Sequence, residues 1–184
     1  MKRFATILIS IILLNTCGYA HKCLDSPQKP HSSEHFTIEL PNGYVVDDSR
    51  EDYQLISALK YVGNDLVGFI EVVFSDDWSF SILQNKDYID SRKGADINEI
   101  QSQLEMAFSN VAIIKNDEAY FLGLGDCMQF IYSGNHYEDG LRQTVCVIQF
   151  IKNQKLYTIR LSTYPKYFAA EYKNFLKALD SVKF

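Results

Sequence analysis

The sequence predicts an α+β fold, one antiparallel sheet with two main helices against it. Three observations predict it. Cys127 to Pro165 reads as a three-strand antiparallel meander at the middle of a sheet. Two stretches, opening at Asp96 and at Pro165, repeat apolar residues at helical spacing. Twelve Tyr and twelve Phe in 184 residues point to strand-rich structure with large buried side chains. Hydrophobic residues make up 47% of the chain, which suits one domain with one core.

Met1 to Ala20 reads as a signal peptide. Lys2 and Arg3 form a basic start, and Ile7 to Leu14 is an apolar run too short to span a bilayer. Gly18-Tyr19-Ala20 fits a small-x-small cleavage site, with cutting after Ala20. Leu14-Asn15-Thr16-Cys17 competes as a lipobox in which Cys17 is the lipidated N-terminus, but Asn15 and Thr16 stand where small residues are expected. Ordinary cleavage is favoured, and either route exports the protein to the periplasm or beyond. No later stretch is apolar enough for a transmembrane helix.

Removing Lys2 and Arg3 takes the formal charge from −5 to −7, that is −5 minus two positives. No basic stripe remains, which disfavours nucleic acid and anionic lipid as partners. Cleavage at Ala20 leaves Cys23, Cys127 and Cys146, so one thiol has no partner within the chain. No Cys-x-x-Cys occurs.

His21 to Glu34 is polar and reads as a flexible leader. The domain is expected over 35–184. Phe36 to Leu40 alternates as a first strand, Pro41-Asn42-Gly43 turns, and Tyr44-Val45-Val46 follows. Asp47 to Asp52 is an acidic loop without the spacing of a calcium site, and a solvated surface run explains it. Tyr53 to Val62 fits a helix or a strand, and its loose alternation favours a strand, paired as a hairpin with Leu66 to Phe74 around Gly63-Asn64-Asp65.

Asp76-Asp77-Trp78 opens a less regular segment. Two acids beside the single Trp are a candidate lining for a binding cleft, together with Tyr44 at its turn. The simpler account packs Trp78 at a rim and leaves both carboxylates in water. Lys86 to Arg92 reads as a helical turn. Asp96 starts a helix whose face is Ile97, Ile100, Leu104 and Phe108, with Asp96 and Glu99 spaced as a capping box and Asn110 as its stop. Val111 to Ile114 and Ala119 to Leu122 read as a hairpin around Lys115 to Glu118. Gly123-Leu124-Gly125 breaks the chain and lacks the context of a phosphate loop.

In the meander, a turn at Asn153-Gln154 pairs Phe150 with Tyr157, Ile148 with Ile159 and Cys146 with Leu161, all on one face. Gln149, Thr158, Arg160 and Ser162 share the other face with Val147 and Ile151, so that side is partly covered. Cys127 to Ser133 joins through the polar loop Gly134 to Gly140. The loop centre sets Cys127 opposite Cys146 or one residue away. The first register permits a Cys127–Cys146 disulfide. The second puts the thiols on opposite faces and Met128 and Phe130 on the core face. Pro165 starts the last helix, with Phe168, Tyr172, Phe175, Leu176 and Leu179 on one face. Val182-Lys183-Phe184 is placed as a short final strand.

The order of elements resembles the PsbP/Mog1-like superfamily, in particular its bacterial DcrB-type and PsbP-like envelope proteins. The likeness is carried by Phe36, Ile38, Leu40, Pro41, Gly43 and Tyr44, by the hairpin leading to Leu122-Gly123, and by the ending Ser181-Val182-Lys183-Phe184. Tyr44 stands where many relatives carry Trp. The resemblance implies an α/β/α sandwich with its antiparallel sheet between helices. It also implies a non-enzymatic role, since relatives serve as assembly or accessory factors. No residue here maps to a shared catalytic site.

The expected function is therefore an exported accessory or binding protein of the cell envelope, acting through its surface on a protein partner. No metal site and no cofactor is expected. A small-molecule binder, with a pocket between sheet and helix near Trp78 and Tyr44, is the alternative. A hydrolase is a third reading. Of His21, His31, His35 and His136, only His136 falls well inside the domain, and a Cys–His pair with Cys127 or Cys146 requires hydrogen-bond reach.

Overall fold

A computed structural model describes residues 31–33, 36–47 and 54–184. The segment read as a signal peptide, with Cys17, most of the stretch read as a leader, with His21 and Cys23, His35, and the acidic run after Asp47 lie outside the described residues. Strands β1 (His31–Ser33) and β2 (Phe36–Ile38) pair with each other. His31–Ser33, inside the stretch read as a leader, is therefore paired backbone.

The remaining strands are β3 (Tyr44–Val46), β4 (Gln54–Val62), β5 (Asp65–Ser75), β6 (Phe108–Phe121), β7 (Gly125–His136), β8 (Arg142–Lys152) and β9 (Lys155–Thr163). They form one seven-stranded sheet in the order β3-β4-β5-β9-β8-β7-β6, antiparallel throughout. The helices are α1 (Trp78–Ser81), α2 (Asn85–Lys93), α3 (Ile97–Leu104) and α4 (Pro165–Asp180).

The β8–β9 hairpin has the expected turn and register. Cys146 faces Leu161, Ile148 faces Ile159, and Phe150 faces Tyr157 with rings stacked at 5.4 Å. Asn153 and Gln154 both take left-handed φ, 50° and 63°, as a two-residue turn matching strand twist requires.

The β7–β8 register differs from both expected ones. β7 continues through Gly134, Asn135 and His136, so the turn moves toward Gly140, which has φ +69°. Cys146 then stands opposite Ile131, four residues along from Cys127. That offset is roughly 13 Å of strand, beyond the span of a disulfide. Cys127 and Cys146 are free, buried thiols on the same sheet face. Met128 and Phe130 point to the opposite face, where Phe130 packs beside Tyr132 and Val147.

Two further expectations are corrected. Val111 to Leu122 is not a hairpin: β6 runs unbroken for 14 residues, and the turn comes at residues 122–124. Lys115 to Glu118 lie within this edge strand, where charged side chains oppose unwanted pairing. The helix opening at Asp96 ends at Leu104, and Phe108 begins β6. Asn110 has φ 52°, but in a bulge of β6 and not at a helix end. The start is as expected, since Asp96 accepts a hydrogen bond from Asn98 N at 2.9 Å.

The sheet is covered on both faces, which makes the fold an α/β/α sandwich. On one face α4 buries Phe175, Ala178 and Leu179 against Ile70, Ile148, Ile159 and Leu161. On the other, three short helices share the work expected of one long one. Ile100 and Leu104 of α3 pack on Tyr132, Val145 and Val147. Phe80 of α1 and Tyr88 of α2 pack on Ile151 and Leu156. The end of the chain forms a bridge, Thr37 to Lys183, and the Phe184 ring meets Phe36, Phe150 and Tyr157. Among the described residues no helix is long and apolar enough to cross a membrane.

Candidate functional site

The sheet face that carries α1 to α3 has a cleft at one end. It opens where β5 starts and β9 finishes, next to the β7–β8 turn. Its free volume is ≈ 80 Å³, and Phe69, Phe108, Tyr132, His136, Arg160 and Tyr164 line it among others.

Strand alternation places these side chains. Phe69 pairs with Ser162, Ser162 with Val145, and Val145 with Tyr132, so one row crosses four strands on one face. Arg160 lies one row further in, opposite both Glu71 and Val147. Phe108 closes the side through edge-to-face contacts with Tyr132 (5.4 Å) and His136 (5.2 Å).

Backbone hydrogen bonds hold the β7–β8 turn at the rim. Gly140 N donates to His136 O (2.8 Å), His136 N to Leu141 O (3.0 Å), and Tyr137 N to Ala107 O (3.1 Å). Asp139 Oδ1 accepts from Leu141 N at 2.9 Å and lies 3.9 Å from His136 Nδ1. That nitrogen is buried and has no hydrogen-bond partner among the described residues.

An ion pair forms the floor. Arg160 Nη2 is 2.7 Å from Glu71 Oε2, with the two side chains only 9% and 2% exposed. Gln54 Nε2 donates to the other oxygen of Glu71. The Arg160 guanidinium lies 5.6 Å from the centre of the Phe69 ring. Burial pushes the Tyr132 hydroxyl up to about 12, with Arg160 pulling slightly the other way.

Of the four residues expected to line a cleft, Asp76, Asp77 and Trp78 stay together at the end of β5, and Tyr44 lies apart from them. Tyr44 is 2% exposed on the opposite face, where its hydroxyl faces Glu171 of α4. Its pKa is raised, first by burial and then by the Glu171 charge. Trp78 opens α1 and is 71% exposed. Asp77 caps α1, accepting from Ser79 N at 2.9 Å, and Asp76 is exposed. Trp78 follows the end of β5, whereas the cleft lies near its start. Six residues separate Phe69 from Ser75, roughly 20 Å of strand. The cleft is remote from Trp78 and across the sheet from Tyr44, so it is not the pocket expected near those two residues.

The Cys–His pair fails on geometry. His136 ends β7, nine residues from Cys127, or roughly 30 Å of strand. Cys146 faces the other side of the sheet from the cleft. Burial pushes both thiols up to about 12, so neither is a nucleophile near neutral pH. Among the described residues no group of three or more His, Cys, Asp or Glu is placed to hold a metal ion.

Glu71 and Arg160 were the cleft residues that left a signal in the sequence. Each is a charge at the middle of an apolar strand, and opposite charges there imply a cross-strand pair. Phe108 left none, because its spacing from Leu104 continues a helical pattern.

No protein-family model matches the chain, and a search of curated proteins gives no match either. Solved structures do resemble it. LpqN of Mycobacterium tuberculosis, described as involved in cell envelope biogenesis, has a TM-score of 0.54 at 10% identity, covering 84% of this chain and 88% of its own. The cyanobacterial PsbP (CyanoP) of Synechocystis sp. PCC 6803 has a TM-score of 0.51 at 14% identity, covering 92% and 97%. A Bacteroides thetaiotaomicron protein has a TM-score of 0.50 at 12% identity over 80% of this chain, which spans 44% of that longer protein. At these identities the likeness shows the fold, and the fold is PsbP-like.

Proposed function

We propose that this protein is an exported, non-enzymatic accessory protein of the bacterial cell envelope that works through its surface on a protein partner. One observation carries the reading. Trp78, Ile82 and Leu122 are 71%, 76% and 79% exposed at the sheet end opposite the cleft. Pairing fixes that shared end. Ser75, just before Trp78, pairs with Leu156 beside the β8–β9 turn, and the β6–β7 turn carries Leu122 at the same end. Large apolar side chains left in water at that end, a Trp among them, are of the type that protein contacts bury. The described similarity to LpqN, a protein of envelope biogenesis, and the signal-like Met1 to Ala20 support the compartment.

The test is photocrosslinking from position 78 in envelope fractions, with the mature mass measured in parallel. A discrete crosslinked partner, lost on Ile82→Asp at unchanged thermal stability, is the expected result. A chain that stays cytoplasmic, or crosslinks that survive Ile82→Asp, overturns the proposal.

The cleft favours a second reading, a small-ligand binder. It does not favour a hydrolase. Ser162 lines the cleft with His136, but among the described residues no hydrogen bond joins the two, as an activated serine requires.

A further inference from the structure

The floor and the mouth of the cleft carry different charge. On the floor, Arg160 is already answered by Glu71 at 2.7 Å, with both side chains buried. At the mouth stands Asp139, whose side chain is 41% exposed. Asp65, at the start of β5, acts on the same space. The hydroxyl of Tyr164, a lining residue, is raised in pKa first by burial, then by Asp139 and Asp65, with Lys166 opposing least. The walls between floor and mouth are the rings of Phe69, Phe108, Tyr132 and Tyr164.

We propose that the cleft receives a cation on an apolar stem, the end of a lysine or arginine side chain from the protein's partner. Aromatic faces attract cations and give an alkyl stem apolar contact. The carboxylate of Asp139 then meets the charge at the rim. A free volume of ≈ 80 Å³ suits the end of one side chain and not a cofactor. The rival occupant is a carboxylate, since Arg160 lines the floor. It would have to compete with Glu71 for the guanidinium and pass Asp139 as a like charge. Only the source of the cation rests on the accessory-protein reading; the chemistry of the cleft does not.

The probe is n-butylguanidinium chloride, titrated into the isotopically labelled mature protein and followed by amide chemical shifts. Sodium pentanoate is the control of equal length and opposite charge. Saturable shifts at Tyr132, His136, Ser162 and Tyr164 with the cation alone are expected. Asp139→Asn keeps the turn acceptor, and it weakens binding about tenfold, the scale of a hydrogen bond to a charged group. Asp87→Asn, on the exposed side of α2, leaves binding unchanged. Pentanoate binding as tightly as the cation, or no saturable shift with the cation, overturns the proposal. Partner crosslinking from position 78 separates the two readings. A partner held equally well by Asp139→Asn refutes the partner as the source of the cation and leaves the accessory role standing. Cation binding without any partner leaves the cleft chemistry standing and refutes that role.

Discussion

The Tyr44 hydroxyl fills the space where a side chain on Gly68 would begin. A Cβ built on Gly68 comes well under 3.0 Å from that oxygen and 2.9 Å from the ring carbon that bears it. The hydroxyl is directed at Glu171, whose Oε1 lies 2.7 Å from Lys60 Nζ. Four elements meet there: β3, β4, β5 and α4. Gly→Ala in a strand ordinarily stabilises by restricting the unfolded chain. Here the clash wins. Gly68→Ala is expected to cost about 2 kcal/mol, as overpacking does. Adding Tyr44→Leu relieves the clash, so the double mutant falls short of the sum of the two single losses. Urea unfolding of the four proteins checks it, and additive losses refute the contact.

Glu71 and Arg160 give a second cycle. Removing one partner strands a buried charge, so Arg160→Met is expected to cost about 3–5 kcal/mol. Glu71→Gln is expected to cost a similar amount, because it strands the buried Arg160 guanidinium, which cannot shed its charge. The double mutant Glu71→Leu/Arg160→Met is expected to recover most of the Arg160→Met loss, since a buried ion pair is often replaceable by apolar packing. A double mutant no more stable than Arg160→Met excludes the charge explanation. The proposed cation site gives the pair a second reason to exist, because without Glu71 the floor of the cleft would repel its ligand.

The β8–β9 hairpin was legible because four polar residues interrupt two apolar runs, and period two then dictates every pair. The β7 register was not. Gly134, Asn135 and His136 are polar enough to read as loop, yet they pair with Gln143, Arg142 and Phe108 at the end of the sheet. Polarity marks exposure, and a strand end is exposed. Phe108 shows the same ambiguity in another form. It does pack with Ile100 and Leu104, as its spacing implied, but from a strand that folds back on the helix. Contact was legible there and backbone was not. The cleft draws on five separate elements, so no local pattern could assemble it. Only its buried charges showed.

The turn at Asn153-Gln154 leads to an improvement. Left-handed φ costs a residue with a Cβ about 1–2 kcal/mol, and Asn tolerates it better than Gln. Gln154 has φ 63° and its side chain is exposed. Gln154→Gly gives the favoured Asn-Gly turn and is expected to raise stability by about 1 kcal/mol, less the added freedom of the unfolded chain. Thermal melting reads it directly. Asn153→Val tests the opposite direction, because a β-branched residue at φ 50° is strained and should lower the midpoint.

Alkaline pH should weaken the fold through its buried thiols. Burial, the largest cause, pushes Cys127 and Cys146 from 9.0 up to about 12, and Asp126 and Glu118 add to the shift at Cys127. The sign follows from which state binds the proton. Below about pH 9 both states hold it and the shift costs nothing. Above that, the unfolded chain releases thiol protons that the folded chain keeps, so stability falls as pH rises toward 12. Each thiol contributes a slope approaching 1.4 kcal/mol per pH unit, set by the linkage relation. Tyr44, Tyr88, Tyr132, Tyr157, Tyr164 and Tyr172, all raised from 10.0 by burial, join as pH approaches 10. The tyrosines are common to parent and thiol variants, so the difference between their urea unfolding curves between pH 8 and 10 isolates the thiols. Cys146→Ala should show a shallower decline over that range than the parent, and Cys127→Ala/Cys146→Ala shallower still. Equal slopes in all three would mean that the thiols ionise in the folded protein, and that the sheet face under α4 admits water.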